Sequence, residues 1–243
     1  MIPKWVFSVD FNSFWKKGIQ QTTRDSWSKL TESFYFFQQT FHYDSDLWSN
    51  NETFNLEGGE SGFDTEETKL PTYWSTPFAK ICLGMKIPGE ETTNFIVINQ
   101  MADSLYSLVA DGKFRPTSVG RDAWKSLLGS QGSLQPNCNK EGFNTKDNLD
   151  RFTIRVRIGI LGNNENHCSY CDSRIGFGSG GNPDDTNTCG IDAKYAADNG
   201  DKHIKAIGYI LIQWHPHATN IFLFLFISFL KSLVVAIEPL EKK

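Results

Sequence analysis

The chain has 243 residues, 39% hydrophobic and 21% charged, with a formal net charge of -4. That length allows one large domain or two small ones, and the apolar share can bury a core, which excludes compositional disorder. The acidic balance and the absence of a basic stripe exclude nucleic acid as the main partner.

Residues 1–39 show no hydrophobic period and are read as a poorly patterned leading segment. Their opening run, MIPKWVFSVDF, makes a poor signal peptide, because Asp10 interrupts the apolar patch and no small-residue cleavage site follows. From Thr40 the character changes. TFHYDSDLW alternates and predicts strand and turn, and NLEGGESGFDTEETKLPTYW predicts a long Gly- and acid-rich loop. ICLGMKI and NFIVINQ predict two buried strands, too short and too β-branched for helices. RDAWKSLLG, residues 121–129, predicts a short helix with Thr117 or Ser118 as cap and Gly129 as a left-handed stop.

TIRVRIGIL, residues 153–161, alternates most clearly. Ile154, Val156, Ile158 and Ile160 fall on one side and Arg155 and Arg157 on the other, which predicts a strand with one wet face. IKAIGYILIQ, residues 204–213, predicts one apolar, central strand, and the patterned domain is expected to end there. Residues 214–243 form a tail. Within it, IFLFLFISFLKSLVVAI is apolar except for Lys231 and two serines, at the lower length limit for a spanning helix. It is either a membrane anchor or a spurious chain end.

Between the strongest strands lies NNENHCSYCDSRIGFGSGGNPDDTNTCG, which holds three of the five cysteines. A loop this long inside a domain is functional or covalently stapled. Cys168 and Cys171 form a C-x-x-C beside His167, with Cys189 further on, yet zinc lacks its second ligand pair. Asp172 and the glycines oppose the helix that a thioredoxin-like motif needs. Disulfides among Cys82, Cys138, Cys168, Cys171 and Cys189 suit the loop better; one cysteine is left over, and the pairing stays open. At least two of Cys168, Cys171 and Cys189 are expected to be paired. Disulfides imply an extracellular setting, and Asn51-Glu52-Thr53 is a glycosylation acceptor that agrees with it.

Asn182, Asp184, Asp185 and Asn187 offer hard oxygens within six residues, beside Pro183 and a Gly-Gly bend. Such a cluster is either a Ca²⁺ loop or a solvated turn. An enzyme is not indicated. Glu66, Glu67, Asp103, Asp111, Glu141 and Glu165 show no paired spacing, and His42, His167 and His203 have no nucleophile motif nearby. Tyr170, Phe177, Tyr195, Trp48 and Trp74 could stack on sugar faces or fill the core.

FDTEETKLPTYWSTPF, ICLGMK, SLYSLVADG, LQPNCNKEGFN, RIGILGNNEN, CDSRIGFG, DDTNTCG and IGYILIQ, in that order, span residues 63–213. From about residue 40 to residue 213 the chain resembles fibrinogen-related and intelectin-like C-terminal modules, and most closely the uncharacterised skeletal organic matrix proteins of cnidarians. The resemblance implies a single α+β, β-rich domain over residues 40–213, secreted, with long disulfide-stapled loops. It also implies Ca²⁺ at NPDDTNTC, where fibrinogen-like modules carry an Asp-rich calcium loop, and glycans or extracellular matrix components as partners. Intelectin-like modules place an Asp two residues beyond the equivalent cysteine; here Ile191 stands there and Asp192 follows. Their His-rich ligand segment is replaced by Asp172-Ser173-Arg174, and the Gly-Gly-Gly-Trp entry strand is not recognisable. The expected function is an extracellular, calcium-binding recognition module without enzymatic activity. The alternative is a structural matrix protein that binds no glycan.

Overall fold

A computed structural model describes residues 7–8, 40–60, 66–149 and 154–214. The readings of most of the leading segment, of the whole apolar run in the tail and of residues 61–65 lie outside the described residues. Ten strands occur there: β1 (Phe7–Ser8), β2 (Phe78–Lys86), β3 (Asn94–Ala102), β4 (Arg115–Pro116), β5 (Asn137–Lys146), β6 (Arg155–Asn163), β7 (Ser173–Gly180), β8 (Cys189–Ala193), β9 (Lys202–Lys205) and β10 (Ile207–Trp214). They form a four-stranded sheet in the order β1-β10-β2-β3 and a six-stranded sheet in the order β4-β5-β6-β7-β8-β9. All described pairings are antiparallel except β1 with β10. Three short helices accompany them: α1 (Thr72–Ser75), α2 (Leu105–Val109) and α3 (Arg121–Ser126). The β-rich expectation therefore holds. Among the described residues no helix is long and apolar enough to cross a membrane.

One apolar core joins the two sheets, with Ile81, Leu83, Ile210 and Ile212 from the first and Phe143, Ile158, Ile175, Phe177 and Ile191 from the second. Trp124 from α3 and the fully buried Trp48 complete it. Trp48 places its ring edge-on to Phe41 and Tyr73 and donates its indole N–H to the His42 carbonyl at 2.9 Å. TFHYDSDLW is thus not a strand. It is a turn followed by a 3-10 helix over Asp46–Trp48, because Ser45 caps that helix and the Trp48 ring is drawn into the core.

Three further expectations are corrected. NFIVINQ lies in the edge strand β3, half of whose residues face outward, with Phe95, Val97 and Met101 exposed. IKAIGYILIQ is two strands: at Ala206 the chain leaves the six-stranded sheet as β9 and enters the four-stranded sheet as β10. Apolar density cannot reveal a change of sheet, since both halves face the same core. The third concerns Arg157, which is buried rather than wet. Its guanidinium donates to the Tyr43 carbonyl at 2.7 Å and to Asn144 Oδ1 at 2.9 Å, and it lies 4.3 Å from the centre of the Tyr43 ring. Gly178, opposite, has φ +62, and a Cβ there would fall 2.6 Å from Trp48 and 2.7 Å from Arg157. Only glycine suits that position.

Helix α3 begins at Gly120, and neither Thr117 nor Ser118 caps it. The half-buried carboxylate of Glu141 on β5 takes that role. It accepts from the N–H groups of Val119 (3.0 Å) and Gly120 (2.9 Å), from Thr117 Oγ1 (2.7 Å) and from Trp124 Nε1 (2.8 Å). Burial raises the pKa of Glu141, but these four donors outweigh it and hold the group below its ordinary range. The helix stops earlier than expected, at Ser126 with Leu127 as its cap, and Gly129, with φ +53, opens a 3-10 helix over Gly129–Gln131. Glu141→Gln turns an amide N–H₂ toward donors, and we expect it to lower stability by about 2 kcal/mol. Urea unfolding of both proteins measures this; equal midpoints would show that the carboxylate is dispensable.

Candidate functional site

The segment between β7 and β8 folds back over the outer face of the six-stranded sheet because an arginine stands beneath it. Arg174 and Asp192 are cross-strand partners, as are Asp192 and His203, so the three form a row across β7, β8 and β9. The Arg174 side chain is 1% exposed. Its guanidinium donates to the carbonyls of Gly180 (3.2 Å), Gly181 (3.0 Å), Asn182, Asp184 and Asn187 (3.2 Å), and to the Asp192 carboxylate at 2.7 Å. Burial disfavours the arginine charge, and the carboxylates of Asp192, Asp184 and Asp185 oppose that.

The row then runs on through His203 to a second carboxylate. His203 turns Nδ1 toward Asp192 at 2.5 Å and Nε2 toward Asp184 at 3.2 Å. Asp192 is pushed up by burial more than Arg174 and His203 pull it down. For Asp184 the balance is reversed. Burial raises its pKa, but hydrogen bonds from Thr186 and the charges of His203 and Lys205 prevail. Asp184, Asp192 and His203 keep potential ligand atoms within 4.8 Å of one another. A carboxylate–imidazole set of this kind suits transition metals better than Ca²⁺.

The expected calcium set of Asn182, Asp184, Asp185 and Asn187 is not gathered into one cage. The Asp184 carboxylate accepts from Thr186 N–H at 2.7 Å and faces His203. Asp185 turns away, accepts from Gly181 N–H and faces His42 Nε2 at 2.9 Å. Asn187 donates its amide to the carbonyls of Ile191 (2.9 Å) and Ile204 (3.3 Å). The carbonyl of Asn182 goes to Arg174. Of the four, Asn187 leaves one buried oxygen, Oδ1, without a hydrogen-bond partner. Side chains aimed at such separate partners do not converge on the six to eight oxygens that Ca²⁺ takes. The residues therefore do not fit calcium in this arrangement, and the arginine gathers the carbonyls that a cation would otherwise collect.

The cysteine expectation is corrected in its pairing. Cys168 is bonded to Cys138 across 30 residues, while Cys82, Cys171 and Cys189 are buried free thiols. Cys189 lies in the main core on β8 and Cys82 packs with Ile207, Tyr209 and Leu211, so distance in the fold keeps them from the loop. With Cys168 in a disulfide, the C-x-x-C is not a metal knuckle. Asn51 is exposed, as its acceptor sequence requires.

Gln135 was not singled out from the sequence, yet with Asn163 it builds the end of the sheet from which the β6–β7 and β8–β9 loops spring. Buried Gln135 donates to the Tyr195 carbonyl at 2.9 Å and accepts from Asp172 N–H at 3.2 Å, which joins residues 164–172 to residues 194–201. Asn163 donates to the carbonyls of His167 (2.8 Å) and Ser169 (2.9 Å). Tyr170 and Tyr195 stand on these two loops, 71% and 64% exposed, with φ of 59° and 55°. Phe177 and Trp48 are core residues, and Trp74 is half-buried under Lys69, so they leave the sugar-stacking set.

Asp198 ties the Tyr195 loop down. Its carboxylate accepts from Arg121 (2.7 Å), Lys125 (2.6 Å) and Leu134 N–H (3.1 Å). Burial works against its charge, yet these hydrogen bonds prevail and hold the carboxyl down to about 2. A carboxyl lowered on folding contributes stability above its unfolded value of about 3.9, and that contribution is lost as pH falls toward 2. Asp198→Asn is therefore expected to be less stable than the parent at about pH 5 and to approach it near pH 2. Thermal melts across that range decide; a constant gap would remove the carboxylate from the account. For the Arg174 loop, millimolar Ca²⁺ is expected to leave the thermal midpoint unchanged, and Arg174→Met to cost about 3 kcal/mol by orphaning Asp192 and the loop carbonyls. A calcium-induced rise that disappears in Asp184→Ala would restore the calcium loop.

No protein family matches the chain, and neither the curated proteins nor the solved structures contain a match.

Proposed function

We propose that the chain is an extracellular, non-enzymatic recognition module of the fibrinogen-related and intelectin-like kind. It binds carbohydrate at the end of the six-stranded sheet where Tyr170 and Tyr195 stand. One observation carries this reading: two neighbouring loops each hold a solvent-exposed tyrosine at positive φ. Bulky residues avoid that conformation, and the cost is tolerated where the surrounding structure fixes it for a task. Here Gln135 fixes the Tyr195 backbone and Asp147 accepts the Tyr170 N–H, so the loops are preorganised. An aromatic face offers apolar contact to the C–H face of a pyranose, and the phenol adds a hydrogen-bonding tip. Asn164, Glu165 and Asn166, exposed on the same loop, supply amide and carboxylate partners for sugar hydroxyls.

The extracellular setting is supported by the Cys138–Cys168 disulfide, which a reducing compartment would not sustain. A non-enzymatic reading is supported by the engagement of the candidate acids. Glu141 is saturated by four donors, and Asp111 holds Arg115 in a two-point contact at 2.7 and 2.9 Å. The loops that carry the tyrosines are organised by side chains and a disulfide, so this reading does not require calcium.

A glycan array probed with the full chain, with and without chelator, tests the reading. Binding is expected in both conditions. Tyr170→Ala and Tyr195→Ala are each expected to weaken it at least about tenfold, equivalent to about 1.4 kcal/mol, with thermal midpoints close to the parent. No bound glycan, or full affinity in both variants, would sink the proposal. Retention of matrix protein in place of glycan would favour the structural alternative.

A further inference from the structure

Beneath Tyr170 lies a cluster of three sulfurs. Cys138 and Cys168 form the disulfide, and the free Cys171 Sγ lies 3.9 Å from Cys138 Sγ. All three pack with Ile154, Val156 and Leu161 on the outer side of β6. Cys171 is buried, whereas Cys138 and Cys168 are partly exposed. The two possible partners of Cys138 are three residues apart on one loop without regular secondary structure. On the other side, the β5–β6 register breaks between Asn137 and Lys140, so Cys138 is outside the ladder, with φ +66.

We propose that these residues form a thiol–disulfide exchange site in which Cys171 displaces Cys168 as the partner of Cys138. Cys171 gives its proton to solvent, and the thiolate electron pair forms a bond to Cys138 Sγ. The Cys138–Cys168 bond breaks, its electron pair leaves on Cys168 Sγ, and that sulfur takes up a proton. One disulfide and one thiol are present before and after, so no oxidant or reductant is needed. What changes is where the thiol sits. It moves from a buried position to Cys168, beside the exposed Tyr170, where thiol-reactive molecules such as soft electrophiles and disulfides can reach it.

The surroundings set the rate. Burial pushes the Cys171 thiol up to about 12, the carboxylates of Asp147 and Asp172 add to this, and Lys140 opposes it. The thiol is therefore held in reserve at neutral pH, and the thiolate fraction, hence the rate, rises about tenfold per pH unit below that value.

The test uses the oxidised full chain, incubated folded at about pH 8 and pH 9 and quenched in acid at intervals. Free thiols are then labelled with N-ethylmaleimide in acidic denaturant and mapped by mass spectrometry. The expected result is label appearing on Cys168 in step with its loss from Cys171, faster at the higher pH, with Cys82 and Cys189 labelled throughout. Label confined to Cys171 at every time would overturn the proposal. So would label on Cys138, which signifies a Cys168–Cys171 bridge, or entry of Cys82 or Cys189 into disulfides, which signifies scrambling in unfolded chains. In Cys168→Ser, oxidised glutathione is expected to join Cys138 to Cys171, and persistence of both as thiols would also overturn it. Should that variant fail to fold, the time course of the unmodified chain decides alone.

Discussion

The outer face of the six-stranded sheet depends on one buried cation. Arg174 is a donor with no acceptor capacity, enclosed on a sheet where water cannot reach it, and every N–H it presents must find an oxygen. Five carbonyls of one loop and one carboxylate supply them. The loop cannot drift from the sheet without stranding both the charge and the carbonyls. Asp192 fixes the side chain laterally, His203 extends the row, and Asp184 returns it to the loop. A segment with few apolar residues thus acquires a definite shape from electrostatics, where a hydrophobic contact could not have supplied one.

The same economy of polar groups governs the opposite end. Gln135 and Asn163 are both buried, and their side-chain amides take the place of the backbone ladder that the loops after β6 and β8 lack. Each makes bonds to two loop positions or more, so the loops are set relative to one another as well as to the sheet. The disulfide adds a covalent tie between the first of these loops and β5. Recognition surfaces on loops gain affinity from such rigidity, because little ordering remains to be done when the ligand arrives.

Much of this was legible in residue order, and the rest was hidden for identifiable reasons. Alternation in TIRVRIGIL marked β6, and the cross-link in the long stretch that follows was anticipated, but its irregularity was not borne out: Ser173–Gly180 and Cys189–Ala193 are buried strands whose many glycines concealed them. The one-sided reading failed: Ile158 and Ile160 fill the main core, whereas Ile154 and Val156 pack with Leu161 and the cysteines, and Arg157 is covered by Tyr43, 114 residues earlier. The Asp-rich cluster suggested calcium because composition records oxygens and not their aims. Arg174 claims the backbone carbonyls of Asn182, Asp184 and Asn187, and its partnership with Asp192 exists only through the β7–β8 register. That register also explains Ile191. A one-residue step along a strand reverses the face, so Ile191 fills the core while Asp192 meets the arginine. Cys138 could not have been matched to Cys168 by spacing, since β5–β6 pairing brings them together.

The single residue at Ala206 has mechanical significance. Strand β9 carries the polypeptide out of the Tyr195 loop, and β10 follows at once, registered with β2 over the whole length from Ile207 to Trp214. With no slack between them, a pull on the Tyr195 loop passes along β9 directly into β10 of the other sheet. Load entering a ladder along its strand is shared among many hydrogen bonds at once, whereas load entering at a hairpin breaks them in turn. A junction of this kind couples the two sheets mechanically.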